Sequence, residues 1–198
     1  MIVVQMQKNT LFLAIGVLII ALILILLLVN QGSLTDNAAT IKTDALQSSN
    51  IQNNVHNWTL VPLHDVSTSR TFSIRDLEGK PVLLFCFTTW CSICTAQQNE
   101  IKQLQVMSPG SFTAVGVDID PYENEAVVRK HQSDHQFYGL YAVAPPEMIN
   151  ELTNEFGVDI ISPASAPMLL ICSNGTVTKL GRGIKSAELL NQDIRVWC

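Results

Sequence analysis

The sequence predicts an α/β domain, a mixed central sheet covered by helices, behind one N-terminal transmembrane helix. Three observations carry that expectation. Strand-like and helix-like patterns alternate through the middle of the chain. An Asn-Gly turn at Asn174-Gly175 joins two strand patterns near its end, and an uncharged apolar run from Leu11 to Val29 stands near its beginning. Hydrophobic residues make up 47% of the 198 positions and charged ones 15%, and much of the apolar excess lies in that one run.

The run, LFLAIGVLIIALILILLLV, holds no charge, no proline and a single glycine. At ~1.5 Å of rise per residue it forms a helix of roughly 28 Å, close to the hydrocarbon thickness of a bilayer. A cleaved secretory signal is the alternative, but such cores span about 7–15 residues and end at a small-x-small site. The following NQGSLTDNAA offers only a poor match around Asn37-Ala38-Ala39. The expectation is therefore an uncleaved anchor at 11–29 after a short cytoplasmic segment at 1–10. Lys8 and the amino terminus lie on the short side, whereas Asp36 and Asp44 outweigh Lys42 beyond the run. Positive charge stays inside, so this is a single-pass protein of the cell membrane with its C-terminal domain outside the cytoplasm. Residues 30–54 are rich in Asn, Gln, Ser and Thr without apolar period and read as a flexible linker. A linker of that length spans about 25–30 Å.

The globular domain is expected at 55–198. Trp58 to Leu63 and Thr71 to Ile74 read as short strands, with a turn at Glu78-Gly79-Lys80. Pro81 to Phe87 is a continuous apolar run, the pattern of a strand buried on both faces. Cys91 to Met107 has helical periodicity, with Ile93, Ile101, Leu104 and Met107 as its apolar positions, and Pro109-Gly110 stops it. Phe112 to Asp118 reads as a second buried strand, Glu123 to His135 as a helix, Gly139 to Ala144 as a strand, and Pro146 to Phe156 as a helix. Met168 to Cys172 and Thr176 to Leu180 form the hairpin, and a last helix covers Ser186 to Asp193.

A net charge of -5 provides no basic stripe to neutralise phosphates, which excludes nucleic acid as a partner. The chemistry lies in Phe87-Thr88-Thr89-Trp90-Cys91-Ser92-Ile93-Cys94, a C-x-x-C between a buried strand and a helix start. A thiolate is the nucleophile of disulfide exchange, and the positive end of a helix stabilises it. Cys91 is expected at that end with its sulfur accessible. Cys94, one turn on, can resolve the mixed disulfide. The same spacing serves half a zinc site, but no second C-x-x-C or H-x-x-H accompanies it. Cys86 and Cys172, within apolar strand patterns, read as small buried hydrophobes, and Cys198 as free or paired with another chain. His131 and His135, spaced i,i+4, lie among Arg129, Lys130 and Asp134 and read as a solvated face rather than a metal site. His56 and His64 have no partner pattern, while Asn57-Trp58-Thr59 and Asn174-Gly175-Thr176 match glycosylation acceptors.

The DLEGKP turn leading into FCFTTWCSIC, then VGVDID, FGV and SAPMLLICSNGTV, resembles the TlpA/ResA branch of the thioredoxin superfamily. The resemblance covers nearly the whole domain. It implies a thioredoxin-like mixed sheet flanked by helices and a membrane-anchored thiol–disulfide oxidoreductase that needs no cofactor. Its partners would be exported protein thiols and disulfides, for example in cytochrome c maturation, with a membrane protein as electron donor. By resemblance Pro167 is a cis-proline facing Cys91 and Cys94. Trp90, Ala166 and Pro167 then shape the substrate groove, with the Ala166 backbone free to pair with an extended substrate. Reduction is the expected direction. The sequence departs from the pattern at Gln97, where the branch often has Glu, and at Phe85, where thioredoxin buries an acid. Asn99 replaces a helix-kinking proline, and Glu100 stands too far along the helix to substitute as a base. Two alternatives stay open: a peroxiredoxin-like peroxide reductase, suggested by Thr88 three residues before Cys91, and a non-catalytic metal-binding or assembly module. Relatives that deliver copper space their cysteines C-x-x-x-C, unlike this chain.

Overall fold

The computed structural model describes residues 22–25 and 56–198. Residues 22–25 are helical, with side chains about half exposed. The rest of the expected anchor at 11–29, the segment 1–10 and the linker 30–54 lie outside the described residues. Among the described residues no helix is long and apolar enough to cross a membrane.

From residue 56 onward the chain forms a two-stranded antiparallel ribbon and a five-stranded mixed sheet. The ribbon pairs β1 (Leu63–His64) with β2 (Thr71–Phe72). The sheet holds β3 (Val82–Phe87), β4 (Thr113–Asp118), β5 (Leu140–Val143), β6 (Met168–Ile171) and β7 (Val177–Lys179) in the order β5-β4-β3-β6-β7. β3, β4 and β5 run parallel, while β6 is antiparallel to both β3 and β7. The helices are α1 (Ser92–Met107), α2 (Glu125–His135), α3 (Pro146–Phe156) and α4 (Ala187–Trp197). This is a thioredoxin-like α/β fold.

Every residue of β3 is buried, as a central strand covered on both faces requires. Alternation then sorts its side chains. Leu83, Phe85 and Phe87 join Ala114, Val128 of α2, Ile101 and Leu104 of α1, and Leu190 and Ile194 of α4. Val82, Leu84 and Cys86 face the other way, with Trp58, Val115, Val117 and the α3 residues Met148 and Leu152. Gly116 lies opposite Phe85 across the β3–β4 pair. A Cβ there would stand 2.7 Å from the Phe85 ring and 2.9 Å from that of Tyr141, so only glycine lets the two rings close over β4.

Several expectations are corrected. Asn57–Leu60 is a 3-10 turn rather than a strand, with consecutive Trp58 and Thr59 both buried, which alternation cannot provide. The Trp58 indole N–H donates to Glu155 at 2.8 Å, tying the turn to α3. Ile74–Leu77 is likewise a 3-10 turn, started by a reciprocal Ser73–Asp76 capping box. On α1 the buried stripe is Cys94, Gln97, Gln98, Ile101 and Leu104, so Ile93 and Met107 fall outside it. Two further 3-10 turns, Val158–Ile161 and Pro163–Ser165, were not foreseen. α4 runs on to Trp197, four residues past its expected end, and brings Cys198 to Cys172. These two form a disulfide with Cα atoms 5.1 Å apart, so Cys172 is no mere hydrophobe and Cys198 is not free. Cys86 does stay a free buried thiol, pushed up to about 12 by burial and hence inert.

Candidate active site

The site is built where β3 ends. Its last hydrogen bond to the neighbouring segment is Ile119 N–H to Phe87 O at 2.9 Å. Thr88 to Trp90 then turn the chain into α1. Cys91 is the N-cap of that helix: its backbone is extended and its sulfur accepts the Cys94 N–H at 3.1 Å. A sulfur at this position stands in the positive field of the helix N-terminus, which favours the thiolate. Cys91 and Cys94 are joined as a disulfide, with Cα atoms 5.2 Å apart.

The expected access to Cys91 is corrected. It is only 6% exposed and Cys94 3%, because both pack in the Phe85–Phe87 layer of the core. What stands open beside them is apolar: Trp90 is 68% exposed and Ile93 38%. Cys94 Sγ lies 3.4 Å from the Pro163 carbonyl, which would accept the thiol proton after reduction.

Pro167 leads into β6, its carbonyl accepting the Cys86 N–H at 3.2 Å. No cis peptide bond occurs among the described residues, so the expected cis-proline is corrected: the Ala166–Pro167 bond is trans. The chain reversal is made instead by Ala166, at φ 45°, ψ 58°, in the left-handed region that closes the Pro163–Ser165 turn. The Ala166 N–H donates to Pro163 O at 2.9 Å, so the N–H half of the expected pairing with a substrate strand is already engaged.

Gln97 and Glu100 have structural employment. The Gln97 amide donates to Lys185 O at 3.1 Å and accepts the Lys185 N–H at 2.7 Å, holding the loop before α4. A carboxylate could accept but not donate there. Glu100 accepts the Ala187 N–H at 2.9 Å, at the N-terminus of α4. His131 is buried rather than solvated, against the expectation. It stacks on Phe87, its Nε2 is 3.3 Å from Gln98 Oε1, and burial together with His135 lowers its pKa.

Sequence reasoning missed an acidic cluster beside this site. Glu123 accepts the Thr89 N–H at 2.9 Å and also the Thr89 hydroxyl, and Asp120 accepts the Trp90 indole N–H at 2.7 Å. The indole bond, with the Tyr122 N–H, holds the Asp120 carboxyl below its ordinary range. Asp118, at the end of β4, is fully buried, and its Oδ2 accepts no hydrogen bond from any donor. Burial foremost, and the neighbouring Glu123 carboxylate next, push its carboxyl up to about 8. The signal was present in VGVDID, where a charged residue terminates a run otherwise fit for the core.

A sheet of this order, with a C-x-x-C disulfide capping the helix that follows its central strand, defines a thioredoxin-like thiol–disulfide oxidoreductase. The chain belongs to the Redoxin family, whose model matches residues 44–194. Among solved structures it is similar to a secreted disulfide oxidoreductase of Mycobacterium tuberculosis homologous to E. coli DsbE. The identity there is 17% over 72% of this chain and 99% of that one, with a TM-score of 0.58. A thiol:disulfide interchange protein of Chlorobium tepidum is 22% identical over 69% of this chain and 91% of its own, with a TM-score of 0.58. StoA of Bacillus subtilis is 21% identical over 67% and 93%, with a TM-score of 0.52. At these identities the likeness is one of fold. No curated protein matches the chain.

Proposed function

We propose that this chain is a membrane-anchored, extracytoplasmic oxidoreductase that reduces disulfides of exported proteins through Cys91 and Cys94. The observation that carries the reading is the Cys91 sulfur capping α1 while bonded to Cys94, an arrangement that favours one thiolate and supplies its resolving partner one turn away. Exposed Trp90 and Ile93 give an unfolded or extended substrate an apolar surface beside that sulfur. The second disulfide, Cys172–Cys198, fits an oxidising compartment, since such bonds are rare in the cytosol. The apolar run at 11–29, read as an anchor, and the Lys8 asymmetry support the extracytoplasmic placement. Apocytochromes, with paired haem-attachment cysteines, are a fitting substrate class, and a membrane dithiol protein is the fitting electron source. Among the described residues no group of three His, Cys, Asp or Glu side chains gathers where it could hold a metal. No observation favours peroxide as substrate.

Substrate trapping tests the reading. Cys94→Ser is expected to accumulate mixed disulfides through Cys91, and Cys91→Ser to accumulate none. The reduction potential decides direction: a value near about -270 mV marks a reductant and one near about -120 mV an oxidant. Absence of trapped species, together with no insulin-disulfide reduction by the native protein, rejects the proposal.

A further inference from the structure

Resolving a mixed disulfide requires that the Cys94 thiol lose a proton. The Pro163 carbonyl, 3.4 Å from its sulfur, can accept a hydrogen bond from the thiol but cannot take the proton away. Position 85 is Phe and position 97 is a fully engaged amide, so neither supplies a base. The β4 strand does. Ala114 faces the layer that contains Cys91 and Cys94, whereas Val115 and Val117 face away. By alternation Gly116 and Asp118 point to the Cys91–Cys94 side. Gly116 there leaves room for the Phe85 ring, and Asp118 lies one pleat nearer the site, opposite Phe87. The acid missing from the central strand is thus replaced by one on its neighbour, on the same face of the sheet.

Asp118 is buried, its Oδ2 has no donor, and the carboxylate of Glu123 adjoins it. Burial and the neighbouring Glu123 carboxylate both disfavour the ionised form of Asp118. The charged and titratable groups that act on the two carboxylates are Asp120 on the same loop and His131 from α2, while Tyr141 of β5 and the cysteines at the start of α1 belong to the core layer on the same face of the sheet. Among the described residues no lysine or arginine forms an ion pair with either carboxylate. The pair is also coupled mechanically to the site, because Glu123 holds Thr89, two residues before Cys91.

We propose that the Asp118 carboxylate, with Glu123 beside it, is the acceptor of the Cys94 proton during resolution of the mixed disulfide. The proposal rests on the oxidoreductase reading above. Cys91 thiolate attacks the substrate disulfide, forming the Cys91–substrate bond and expelling the first substrate thiolate. Cys94 S–H then gives its proton to Asp118 and attacks Cys91 Sγ. The Cys91–Cys94 bond forms, the mixed disulfide breaks, and the second substrate thiolate departs and takes up a proton. The substrate disulfide gains two electrons and the cysteine pair loses two. Burial that keeps the carboxyl protonated to higher pH brings its proton affinity toward that of a thiol, the match general-base transfer needs.

The test is a single-turnover reaction of the reduced full-length protein with a symmetric aromatic disulfide whose thiolate is coloured. The first release reports attack by Cys91 and the second reports resolution by Cys94. Asp118→Asn is expected to lower the ratio of second to first rate by about 100-fold and to abolish the rise of the second rate near pH 8. An unchanged ratio and pH profile overturn the proposal. Should Asp118→Asn fail to fold, Glu123→Gln decides: its amide removes the like charge, so the inflection must move to lower pH, and an unmoved inflection overturns the proposal. Failure of the native protein to release even the first thiolate would instead reject the oxidoreductase reading.

Discussion

At the scale of single residues, Gln97 shows why a departure from a family pattern is worth following into the structure. Its amide is wanted for both of its halves, an oxygen for the Lys185 N–H and an NH2 for the Lys185 carbonyl, in a place with almost no water. Gln97→Glu keeps the first bond and sets a carboxylate against a carbonyl in the second. The expected outcome is a loss of about 2 kcal/mol of unfolding free energy, read by denaturant titration with an unchanged slope. The substitution that would restore the branch's acid therefore costs this chain stability. Nothing at the level of sequence revealed the Lys185 loop as the partner, because the two stretches are far apart along the chain and meet only when α4 packs on α1. Cys91 and Cys94 were legible for the opposite reason. Their spacing and the strand before them are local, and local chemistry survives without knowledge of the fold.

At the scale of elements, α4 is fastened at both ends. Ser186 caps its start, Glu100 accepts the Ala187 N–H, and the Cys172–Cys198 bond closes its end onto β6. Closing a loop of 26 residues removes freedom mainly from the unfolded chain, with a worth of about 3 kcal/mol. A Cys172→Ala, Cys198→Ala double variant is expected to lose about that much in denaturant titration, while its trapping chemistry at Cys91 persists. The long apolar run of β3, the α3 boundaries and the Asn174-Gly175 hairpin were legible because their burial pattern is dictated by neighbours close in sequence. The 3-10 turns were not. The turn at Asn57–Leu60 is tied down by the Trp58–Glu155 bond and the Pro163–Ser165 turn is closed by the reversal at Ala166, and both depend on contacts with no periodic signature.

At the scale of the whole molecule, the acidic cluster ties stability to pH. Asp118 has a folded-state pKa raised from 3.8 to about 8, so between those values the unfolded chain has released the proton that the folded chain keeps. Stability must then fall as pH rises from about 4 to about 8, and this contribution stays constant above that window. Asp118→Asn removes the penalty. Its melting temperature is expected to exceed that of the native protein at pH 8 by roughly 3 °C or more and to converge with it near pH 4, as thermal unfolding in matched buffers would show. A native protein equally stable at both ends of the window would contradict the assignment. The overall arrangement was legible from the alternation of strand and helix patterns, while the acidic support of the site was not. An aspartate at a strand end looks like the first residue of a loop until the sheet is assembled around it.

The two disulfides lie at opposite ends of the central sheet, Cys91–Cys94 beyond Phe87 and Cys172–Cys198 beside the Val82–Ile171 pair. Six residues of strand separate them, roughly 20 Å of close-packed apolar side chains. Electrons delivered at one end therefore have no thiol relay to the other, since Cys86 between them is sealed in the core and its sulfur inert. The protein behaves as a switch mounted on a riveted frame: it can change oxidation state at its working edge, turnover after turnover, without loosening the bond that keeps its last helix in place.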